Sequence, residues 1–594
     1  MRRSRFKLRP RLRLIGRASA TVAVLALGTT LFAAPAASAA TRAATTTRGA
    51  GPAAAKPSIE TNSQNPVTAE PPVTRPNTHS CTETLADAFP SNSSTGGAQN
   101  FSGTLTPPSA CAGPWSKVVL DWTTSVQGNQ YDRSGSLDIG TTMVYFGTTY
   151  EPDPDGNTYH FAKDLTEYSS LLKSAQPFNG GIVNYTSSVD TGVYVQTVTI
   201  TYYQADRANP APTEPDAVVG LGSQDTDPGA PTATLTAGGL PRNITHAYLE
   251  IYIKGNGCDE QWFTDVPNDV AAEFPAAEMC GSGPYREVDA SIDGTMAGVT
   301  QYFPYIYTGG IAPTLWRPIP AVGTFDMAPE LIDVTPFVGD LVDGGTHDFA
   351  LTVANAGDVW NLSANLLLYT DHGAATTSGG LTKDTIAPTA AMTTKESTAA
   401  NGDVTATVGA QRSWVTSGYV NTSAGREVTT VTQRVSFDNV DVVSNGGFTQ
   451  AIDEKDQGQN VSVTTDAHGS RLVTTHQWSY PITVHEAFQL PDADSFSSVA
   501  TVDMTRQLAD SQSSVRAPGD RVVNLGPTEA ASESTDQVWS TATFVITDGV
   551  LTGASGTAWQ DYAGTDDVRN QWYNHYLAAK NGYVTADKVT VSPW

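Results

Sequence analysis

The sequence predicts an all-β protein built from antiparallel β-sandwiches, and three observations support this prediction. Charged residues make up only 16% of the chain while 52 Gly, 22 Tyr and 11 Trp are present, a composition that favours sheets over helical bundles. Short segments alternate between apolar and polar residues, which is typical of strands with one buried face. Turn signals separate these segments, and long amphipathic helical patterns are missing, so sandwiches are the expected architecture.

The length and charge of the chain limit its organisation and its partners. With 594 residues the chain is too long for one hydrophobic core, so several domains are expected. The 60 acidic residues outnumber the 34 basic residues and give a net charge of −26. Bulk electrostatics therefore oppose binding to nucleic acid or to an anionic membrane, and we expect a monomer with neither partner.

The first 39 residues have the pattern of a secretory signal peptide. Residues 1–17 hold seven Arg and one Lys, an apolar stretch follows from Thr21 to Ala34, and Ala37-Ser38-Ala39 is a cleavage motif. A membrane anchor is the alternative, but the apolar stretch is short for one. The sequence thus predicts a secreted, extracellular protein that is cleaved near Ala39.

Stretches rich in Pro, Gly, Asp or Thr divide the rest of the chain. They lie at about 40–78, 205–231 and 373–403. The predicted parts are a disordered linker at 40–78, a first sandwich at 79–231, a second sandwich at 232–372, a linker at 373–403 and a C-terminal β-rich domain at 404–594. Residues 79–372 are expected to fold without the third part.

Two short segments in the two sandwiches echo each other. Asp164-Leu165-Thr166-Glu167-Tyr168 matches Asp333-Val334-Thr335-Pro336-Phe337 in the pattern D-[LV]-T-x-[FY]. Each is followed by a Gly-containing turn and by two alternating strands. Chance similarity is the alternative, but the echo favours two related sandwiches side by side. Within the second sandwich, residues 247–254 alternate strictly and predict a strand that buries one face only.

Four cysteines form two local pairs in this exported chain. The simplest assignment is two disulfides, Cys81–Cys111 and Cys258–Cys280. Their spacing lacks the C-x-x-C pattern, so zinc binding is not expected.

The usual catalytic motifs are absent from the sequence. It contains no H-E-x-x-H, no G-x-S-x-G, no P-loop and no G-x-G-x-x-G that opens a helix. Asp153-Pro154-Asp155-Gly156-Asn157 has some character of a calcium loop, although a plain turn is the favoured interpretation. A hydrolase with these residues would rely on carboxylates and a water molecule, without a metal or an organic cofactor.

Carboxylates lie among aromatic residues and Gly in two loops. Asp132 stands beside Arg133 where an alternating strand begins, and a neighbouring guanidinium would hold its carboxylate ionised. An exposed ion pair is the plainer interpretation. Asp259 and Glu260 precede Trp262-Phe263 on a loop that a Cys258–Cys280 disulfide would pin. Such a loop suits a site that faces a sugar, and ordinary solvation of a surface loop is the alternative.

A third segment, 285–318, is dense in aromatic residues. It includes Tyr285-Arg286-Glu287, the run from Tyr302 to Gly310, and Leu315-Trp316-Arg317. Aromatic rings stack on the apolar faces of sugars, but some of these rings are expected to belong to the sandwich core.

These segments resemble the peptide-N-glycosidase A family, which removes whole N-glycans from asparagine. The resemblance covers about residues 115–375. The matching stretches are GNQYDRSGSLDIGTTMVYFGTTYEPDPDGNTYHFAKDLTEYSSLL (128–172), DTGVYVQTVTITYY (190–203), AYLEIYIKGNGCDEQWFTDVPNDV (247–270), YREVDASIDG (285–294), YTGGIAPTLWRPI (307–319) and LIDVTPFVGDLVDGGTHDFALTV (331–353).

A fainter similarity to peptide-N-glycosidase F concerns the site and the fold. That resemblance implies two adjacent jelly-roll-like sandwiches, with Asp132 as a catalytic residue and Glu260 as a second acidic residue. The third acidic residue of peptide-N-glycosidase F would fall near Tyr185-Thr186-Ser187, where this chain has no Glu. A site of three carboxylates is therefore not predicted.

The two resemblances imply a secreted amidase that acts on an N-glycopeptide or glycoprotein. Asp132 would activate the water or the linkage, and Glu260 would assist proton transfer or hold the first sugar. The expected substrate-binding residues are Arg133, Trp262, Arg286, Glu287 and Trp316. Two rivals remain at this point: a glycan-binding protein without activity, and a glycosidase that uses the same carboxylates.

Overall fold

The computed structural model describes residues 61–92, 100–491, 495–515, 529–548, 550–566 and 571–592. The predicted signal peptide, its cleavage site near Ala39 and residues 40–60 of the predicted linker lie outside these residues. Nearly all of the regular secondary structure in the described chain is β-strand, as predicted. Within it, no helix is both long enough and apolar enough to span a membrane.

The first eight strands form a jelly roll. They are β1 (Ser80–Ser91), β2 (Phe101–Leu105), β3 (Trp115–Gln127), β4 (Ser134–Ile139), β5 (Thr142–Thr148), β6 (Asn157–Asp164), β7 (Gln176–Ile182) and β8 (Val193–Gln204). One sheet has the order β1-β8-β3-β6 and the other the order β2-β7-β4-β5, with antiparallel pairing throughout. The core between the two sheets contains large buried rings such as Trp122 and Tyr202.

The next eight strands repeat this topology. They are β9 (Ala217–Asp225), β10 (Thr232–Gly238), β11 (Ile244–Gly255), β12 (Val288–Ile292), β13 (Thr295–Thr300), β14 (Glu330–Asp333), β15 (Thr346–Val353) and β16 (Trp360–Thr370). The sheet orders are β9-β16-β11-β14 and β10-β15-β12-β13, which match the first roll strand for strand. Strand β9 lies within 205–231, so the second roll begins earlier in the chain than the sequence predicted.

The sequence echo marks equivalent turns of the two rolls. Thr166 follows β6 and Thr335 follows β14, and in each case the backbone N–H donates to the Asp two residues earlier at 3.0 Å. The Thr166 hydroxyl accepts from the backbone N–H of Val118, and the Thr335 hydroxyl accepts from that of Ala247. The same side chains thus build the same turn twice, which confirms the predicted relation between the two segments.

The two rolls pack side by side through strand β11. The prediction that β11 buries one face only is wrong, because Glu250, Tyr252 and Lys254 are all buried. Tyr168 of the first roll donates to Glu250 Oε1 at 2.8 Å, and its hydroxyl lies 3.1 Å from that of Tyr252. The polar face of β11 therefore faces the first roll instead of solvent.

A sheet of eleven strands follows within the described residues. They are β17 (Ser378–Asp384), β18 (Ala391–Thr398), β19 (Val404–Thr422), β20 (Gly425–Ser444), β21 (Thr449–Thr465), β22 (Arg471–Gln489), β23 (Phe496–Val515), β24 (Glu529–Thr547), β25 (Val550–Asp566), β26 (Gln571–Lys580) and β27 (Tyr583–Val591). Val and Thr alternate along many of these strands and suit a half-buried pleated surface. Residues 373–403 are not a structureless linker, because β17 and β18 both pair with β19.

The inner face of this large sheet shares a core with the second roll. Trp414, Trp478 and Tyr480 are buried with residues of the second roll in one apolar cluster. The rings of Tyr480 and Phe303 meet edge to face at 5.1 Å. Short helices, including α1 (Asn268–Glu273) and α2 (Val338–Leu341), occupy the connections.

Residues 61–78 contact all three parts of the chain. The carboxylate of Asp153 in the first roll accepts from Ser63 N at 2.8 Å, and Gly323 of the second roll donates to Glu70 at 2.9 Å. Ala69 is fully buried and donates to Gln560 of the large sheet at 2.7 Å. The prediction of disorder is therefore wrong for 61–78, because a segment poor in apolar residues finds fixed polar partners on its neighbours.

Candidate active site

Two predicted carboxylates lie on equivalent loops of the two rolls. Asp132 is the fifth residue after the end of β3, and Glu260 is the fifth residue after the end of β11. Strands β3 and β11 hold the same position in the repeated topology. The structure brings the two side chains close enough for the charge of Glu260 to affect the titration of Asp132.

The backbone on either side of Asp132 is fixed by hydrogen bonds. Tyr194 donates to the carbonyl of Tyr131 at 2.6 Å. Thr149, just after β5, accepts from Arg133 N at 2.8 Å and donates its own N–H to Arg133 O at 2.7 Å. These bonds hold the Asp132 carboxylate in one place at the edge of the first roll.

Glu260 lies on a 3₁₀-helical segment, Gly257–Thr264, within the loop that the Cys258–Cys280 disulfide closes. The predicted Cys258–Cys280 disulfide is present, as is Cys81–Cys111. The adjacent Asp259 is fully buried and accepts from Trp360 Nε1 at 2.5 Å and from Arg286 at 2.6 Å. Asp259 therefore anchors the loop, and Glu260 is the acid that faces Asp132.

A third carboxylate, Glu151, joins this pair from the end of β5. Gly309 N donates to Asp132 Oδ2 at 2.7 Å, and Glu151 N donates to the hydroxyl of Thr308 at 2.6 Å. A methyl group added to Gly309 would overlap Glu151 Oε2 and lie 3.2 Å from Asp132 Oδ1. Both carboxylates thus face the same small volume, and only glycine at 309 leaves room for them.

Burial and crowding change the acidity of Asp132. Burial first, and then the charges of Glu151 and Glu260, raise its pKa to about 7, against the lowering effect of the Gly309 N–H. A carboxyl with this pKa is mostly protonated under mildly acidic conditions. The cluster can therefore combine a carboxylic acid with carboxylates in the same volume.

A buried lysine lies beside the carboxylates. Lys254, near the end of β11, is 3% exposed. Burial lowers its pKa, whereas the charges of Glu260, Asp225 and Asp132 favour its protonated form. In its protonated form Lys254 would offset part of the negative charge of the site.

Several buried polar atoms at this site have no hydrogen-bond partner within the described part of the chain. They are Asp132 Oδ1, the hydroxyl of Tyr307 and both amide atoms of Gln261. Gln261 Nε2 lies 2.5 Å from the position of a methyl group on Gly310, next to Gly309. Buried polar groups are normally paired, so this set indicates a site shaped for a polar ligand.

Comparison with known proteins places this geometry in a family. Residues 70–387 match the family described as peptide N-acetyl-beta-D-glucosaminyl asparaginase amidase A, and residues 405–482 match the C-terminal domain of the same family. The chain belongs to the peptide-N-glycosidase A family. It is also 30% identical over 472 residues to peptide-N4-(N-acetyl-beta-glucosaminyl)asparagine amidase A of Prunus dulcis, covering 73% of this chain and 81% of that protein.

Solved structures with a weaker likeness include PNGase F, a glycosylasparaginase, and PNGF-II. The structure of PNGase F from Flavobacterium meningosepticum matches with 13% identity and a TM-score of 0.33, over 49% of this chain and 96% of that chain. PNGF-II matches with 13% identity and a TM-score of 0.34, over 49% and 65%. At these values the likeness concerns the fold and assigns no residue role to this member of the peptide-N-glycosidase A family.

The guanidinium of Arg133 does not hold Asp132 ionised, contrary to the prediction. It donates to Gln130 Oε1 at 2.6 Å and lies over the rings of Tyr131 and Tyr185. Asp132 and Arg133 lie in the loop before β4, where Asp132 accepts from Gly309 N while Arg133 bonds to Gln130, so adjacency in sequence did not pair the two side chains. The pKa of Asp132 accordingly rises instead of falling. Contact of Arg133 with substrate stays a prediction.

The other predicted substrate-binding residues are buried in structural contacts. Trp262 packs in the core against the tilted rings of Tyr302 and Trp360, and Arg286 donates to Asp259 and to Asp265. Glu287 accepts from Tyr285 and from Arg412 of the large sheet.

Trp316 is fully buried but belongs to the surroundings of the site. Its Nε1 donates to Gly310 O at 2.8 Å, which positions the Gly309-Gly310 turn beside Asp132. Direct substrate contact by Trp262, Arg286, Glu287 or Trp316 stays a prediction.

One group of possible metal ligands occurs among the residues that the structure describes, and it lies away from this site. The ligand atoms of His79, Cys81 and Cys111 are mutually close. The two sulfur atoms are joined in a disulfide and are therefore not thiolates that could bind a metal.

Sequence reasoning missed Glu151, Lys254, Gln261 and Gly309. Glu151 lay inside a stretch that matched the family, but it carried no local signal because Asp132, Thr308 and Gly309 are all distant from it in the sequence. Gly309-Gly310 between an aromatic run and Pro313 was a visible signal, since paired glycines allow side chains to approach the backbone closely.

Proposed function

We propose that this chain is a glycoamidase that hydrolyses the amide bond between N-acetylglucosamine and the asparagine side chain of N-glycopeptides. The observation that carries the proposal is the convergence of Asp132, Glu151 and Glu260 beside Gly309, where the two rolls meet. Membership of the amidase family supports the choice of the bond that is cut.

The reaction needs an acid and a base in one place. Water adds to the amide carbon, the carbon–nitrogen bond breaks, and the departing nitrogen takes a proton. The peptide keeps an aspartate in place of asparagine, and the released glycosylamine decays to sugar and ammonia.

Different environments divide these tasks among the carboxyl groups. Asp132, with a pKa of about 7, carries the proton and gives it to the departing nitrogen from Oδ1. Glu260 takes a proton from the attacking water. Glu151 keeps the pKa of Asp132 high, and Lys254 limits the repulsion within the cluster.

The partnerless polar atoms suit the substrate. The amide group of Gln261 has one donor side and one acceptor side, as the acetamido group of N-acetylglucosamine requires. Burial raises the pKa of Tyr307 well above its ordinary value and keeps its hydroxyl a donor, here toward the amide oxygen. A substrate that lacks the acetamido group would leave Gln261 unpaired and should bind weakly.

Mass spectrometry of a defined N-glycopeptide, incubated with the enzyme in heavy-oxygen water, tests the function. Amide hydrolysis yields a sugar-free peptide whose new aspartate carries the heavy oxygen. A product that keeps one sugar on asparagine would show a glycosidase instead, and an unchanged glycopeptide that still binds would show a glycan-binding protein.

Export completes the proposal. Two disulfides favour an oxidising compartment, and the leader pattern of residues 1–39 supports secretion. The intact mass of the mature protein from culture medium tests this, and a chain that keeps residues 1–39 inside the cell would contradict it.

A further inference from the structure

A groove crosses the outer face of the large C-terminal sheet. Its volume is about 980 Å³. Six cross-strand partners form a continuous row along it, one from each of the strands β19 to β24: Gln411, Ser436, Gln457, Ser479, Gln507 and Thr535. Neighbouring strands lie ~4.8 Å apart, so the row is roughly 24 Å long.

The chemistry of this row is unusual for a sheet surface. All six side chains are uncharged carboxamides or hydroxyls, and all are exposed or partly exposed. Gln457 donates to the Ser436 hydroxyl at 3.1 Å. A row of groups that both donate and accept matches the hydroxyl groups of a sugar chain, each of which also does both.

A pair of indole rings lies on the same face, next to one end of the row. Trp539 and Trp559 are cross-strand partners on β24 and β25, and their rings are 14° from parallel with centroids 6.4 Å apart. Both are partly exposed, whereas the residues on either side of each are buried. Thr535, Gln537 and Trp539 alternate outward along β24, so the row continues to the rings through Gln537.

The combination indicates a carbohydrate ligand. Near-parallel rings offer flat apolar surfaces to the C–H faces of sugar rings, and the amide and hydroxyl row offers partners to their hydroxyls. Arg434 and Lys455 on the flanks of the groove are balanced in part by Glu533, so no single charge dominates. The net charge of −26 also opposes an anionic chain.

We propose that the outer face of the C-terminal sheet binds a linear, neutral oligosaccharide chain along this row and over the Trp539–Trp559 pair. The surface shares no residue with the candidate active site, so its occupation does not depend on amide hydrolysis. It would hold the enzyme on a polysaccharide near its substrates.

Calorimetric titration of the whole protein with defined neutral chains, cellohexaose and mannohexaose, tests the proposal. One of them should bind, and Trp539→Ala or the pair Gln457→Ala/Gln507→Ala should weaken that binding roughly fivefold or more. The matched control is Trp572→Ala, an exposed indole at the far end of β26 on the same sheet, which should leave affinity unchanged.

The same titration with Asp132→Asn separates this surface from the active site, because the affinity should be that of the wild type. Circular dichroism confirms that each variant is folded. The proposal is overturned if neither neutral chain binds, if only an oligogalacturonate or a branched N-glycopeptide binds, or if the Trp539 and Gln457/Gln507 variants bind as the wild type does.

Discussion

At the scale of single residues, the repeat of the jelly roll explains why Asp132 and Glu260 meet. Both follow the third strand of their roll by the same number of residues, and the rolls place these loops face to face. Sequence alone located both carboxylates through their loops and the family resemblance. It could not supply Glu151 or Gln261, because each meets its partner, Asp132 or Gly310, only once residues distant in sequence have folded together.

Asp132→Asn should lower kcat by ~10²–10⁴ while the fold is kept, because asparagine cannot give up the proton that the departing nitrogen needs. Glu260→Gln should also lower kcat, since the water then lacks its base. Release of aspartate-containing peptide measures both variants, with circular dichroism as the folding control. A folded Asp132→Asn variant with turnover near that of the wild type would exclude Asp132 as the acid.

The rate should depend on pH through the proton on Asp132. Its pKa is raised to about 7, so the acid form is present below that pH and is lost as pH rises through it. Above pH ~7 kcat/KM should fall about tenfold per pH unit. Asp138→Asn is the matched control. Asp138 lies on β4, outside the carboxylate cluster, and burial raises its pKa to about 7 as well, so this variant should keep the pH profile of the wild type. A flat profile from pH 6 to 9 would contradict the assignment.

Gly309→Ala should remove activity without unfolding the protein. The added methyl group would overlap the flexible end of Glu151 and displace its carboxylate, which leaves the backbone in place. We expect a loss in kcat/KM of roughly 10²-fold or more, as for other small displacements of catalytic groups. Gly553→Ala is the control, since its methyl group would meet Val545 at an ordinary 3.5 Å. Equal activity of the two variants would show that Glu151 has no role.

At the scale of elements, the sequence predicted a chain rich in strands but not how the strands pair. Alternation identified β11, yet it assigned the polar face of β11 to solvent. Glu250 accepts a hydrogen bond from Tyr168, and Lys254 lies beside the carboxylates of the site. A polar residue in the sequence does not show whether its partner is such a side chain or water. The segments 61–78 and 373–403 were misjudged for a related reason, since their order comes from distant neighbours.

The two disulfides should have different effects on activity. Replacing Cys258 and Cys280 by Ser frees the loop that carries Glu260, and should cost about 2–4 kcal/mol of unfolding free energy together with a marked fall in kcat. Replacing Cys81 and Cys111, whose loop closes over a similar length, should cost a similar free energy but leave kcat near that of the wild type. Urea unfolding and initial rates measure both. Equal kcat values would show that the loop keeps Glu260 in place without its disulfide.

At the scale of the whole molecule, the family resemblance anticipated two jelly rolls, and the structure shows that they repeat each other strand for strand. What the sequence did not predict is the dependence of the second roll on the C-terminal sheet. The pattern of 404–594 showed strands with one buried face but not what covers that face. The structure shows that the second roll covers it.

This shared core changes the expectation for a shortened chain. The sequence predicts that residues 79–372 fold alone, but their core has partners on the large sheet. Arg412 is the cation that pairs with buried Glu287 and Asp289. Trp478 donates to Gln301 at 3.0 Å. Removing one partner of a buried ion pair costs about 3–5 kcal/mol, and the apolar partners of Tyr480 would also be exposed. We therefore expect a fragment of residues 61–373 to be insoluble or to unfold without cooperativity, as measured by calorimetry. Arg412→Ala in the full chain should lower Tm by the same mechanism, with Arg434→Ala on the outer face as the matched control. A soluble fragment with cooperative unfolding and the activity of the full chain would instead show that the two rolls are independent of the sheet that covers them.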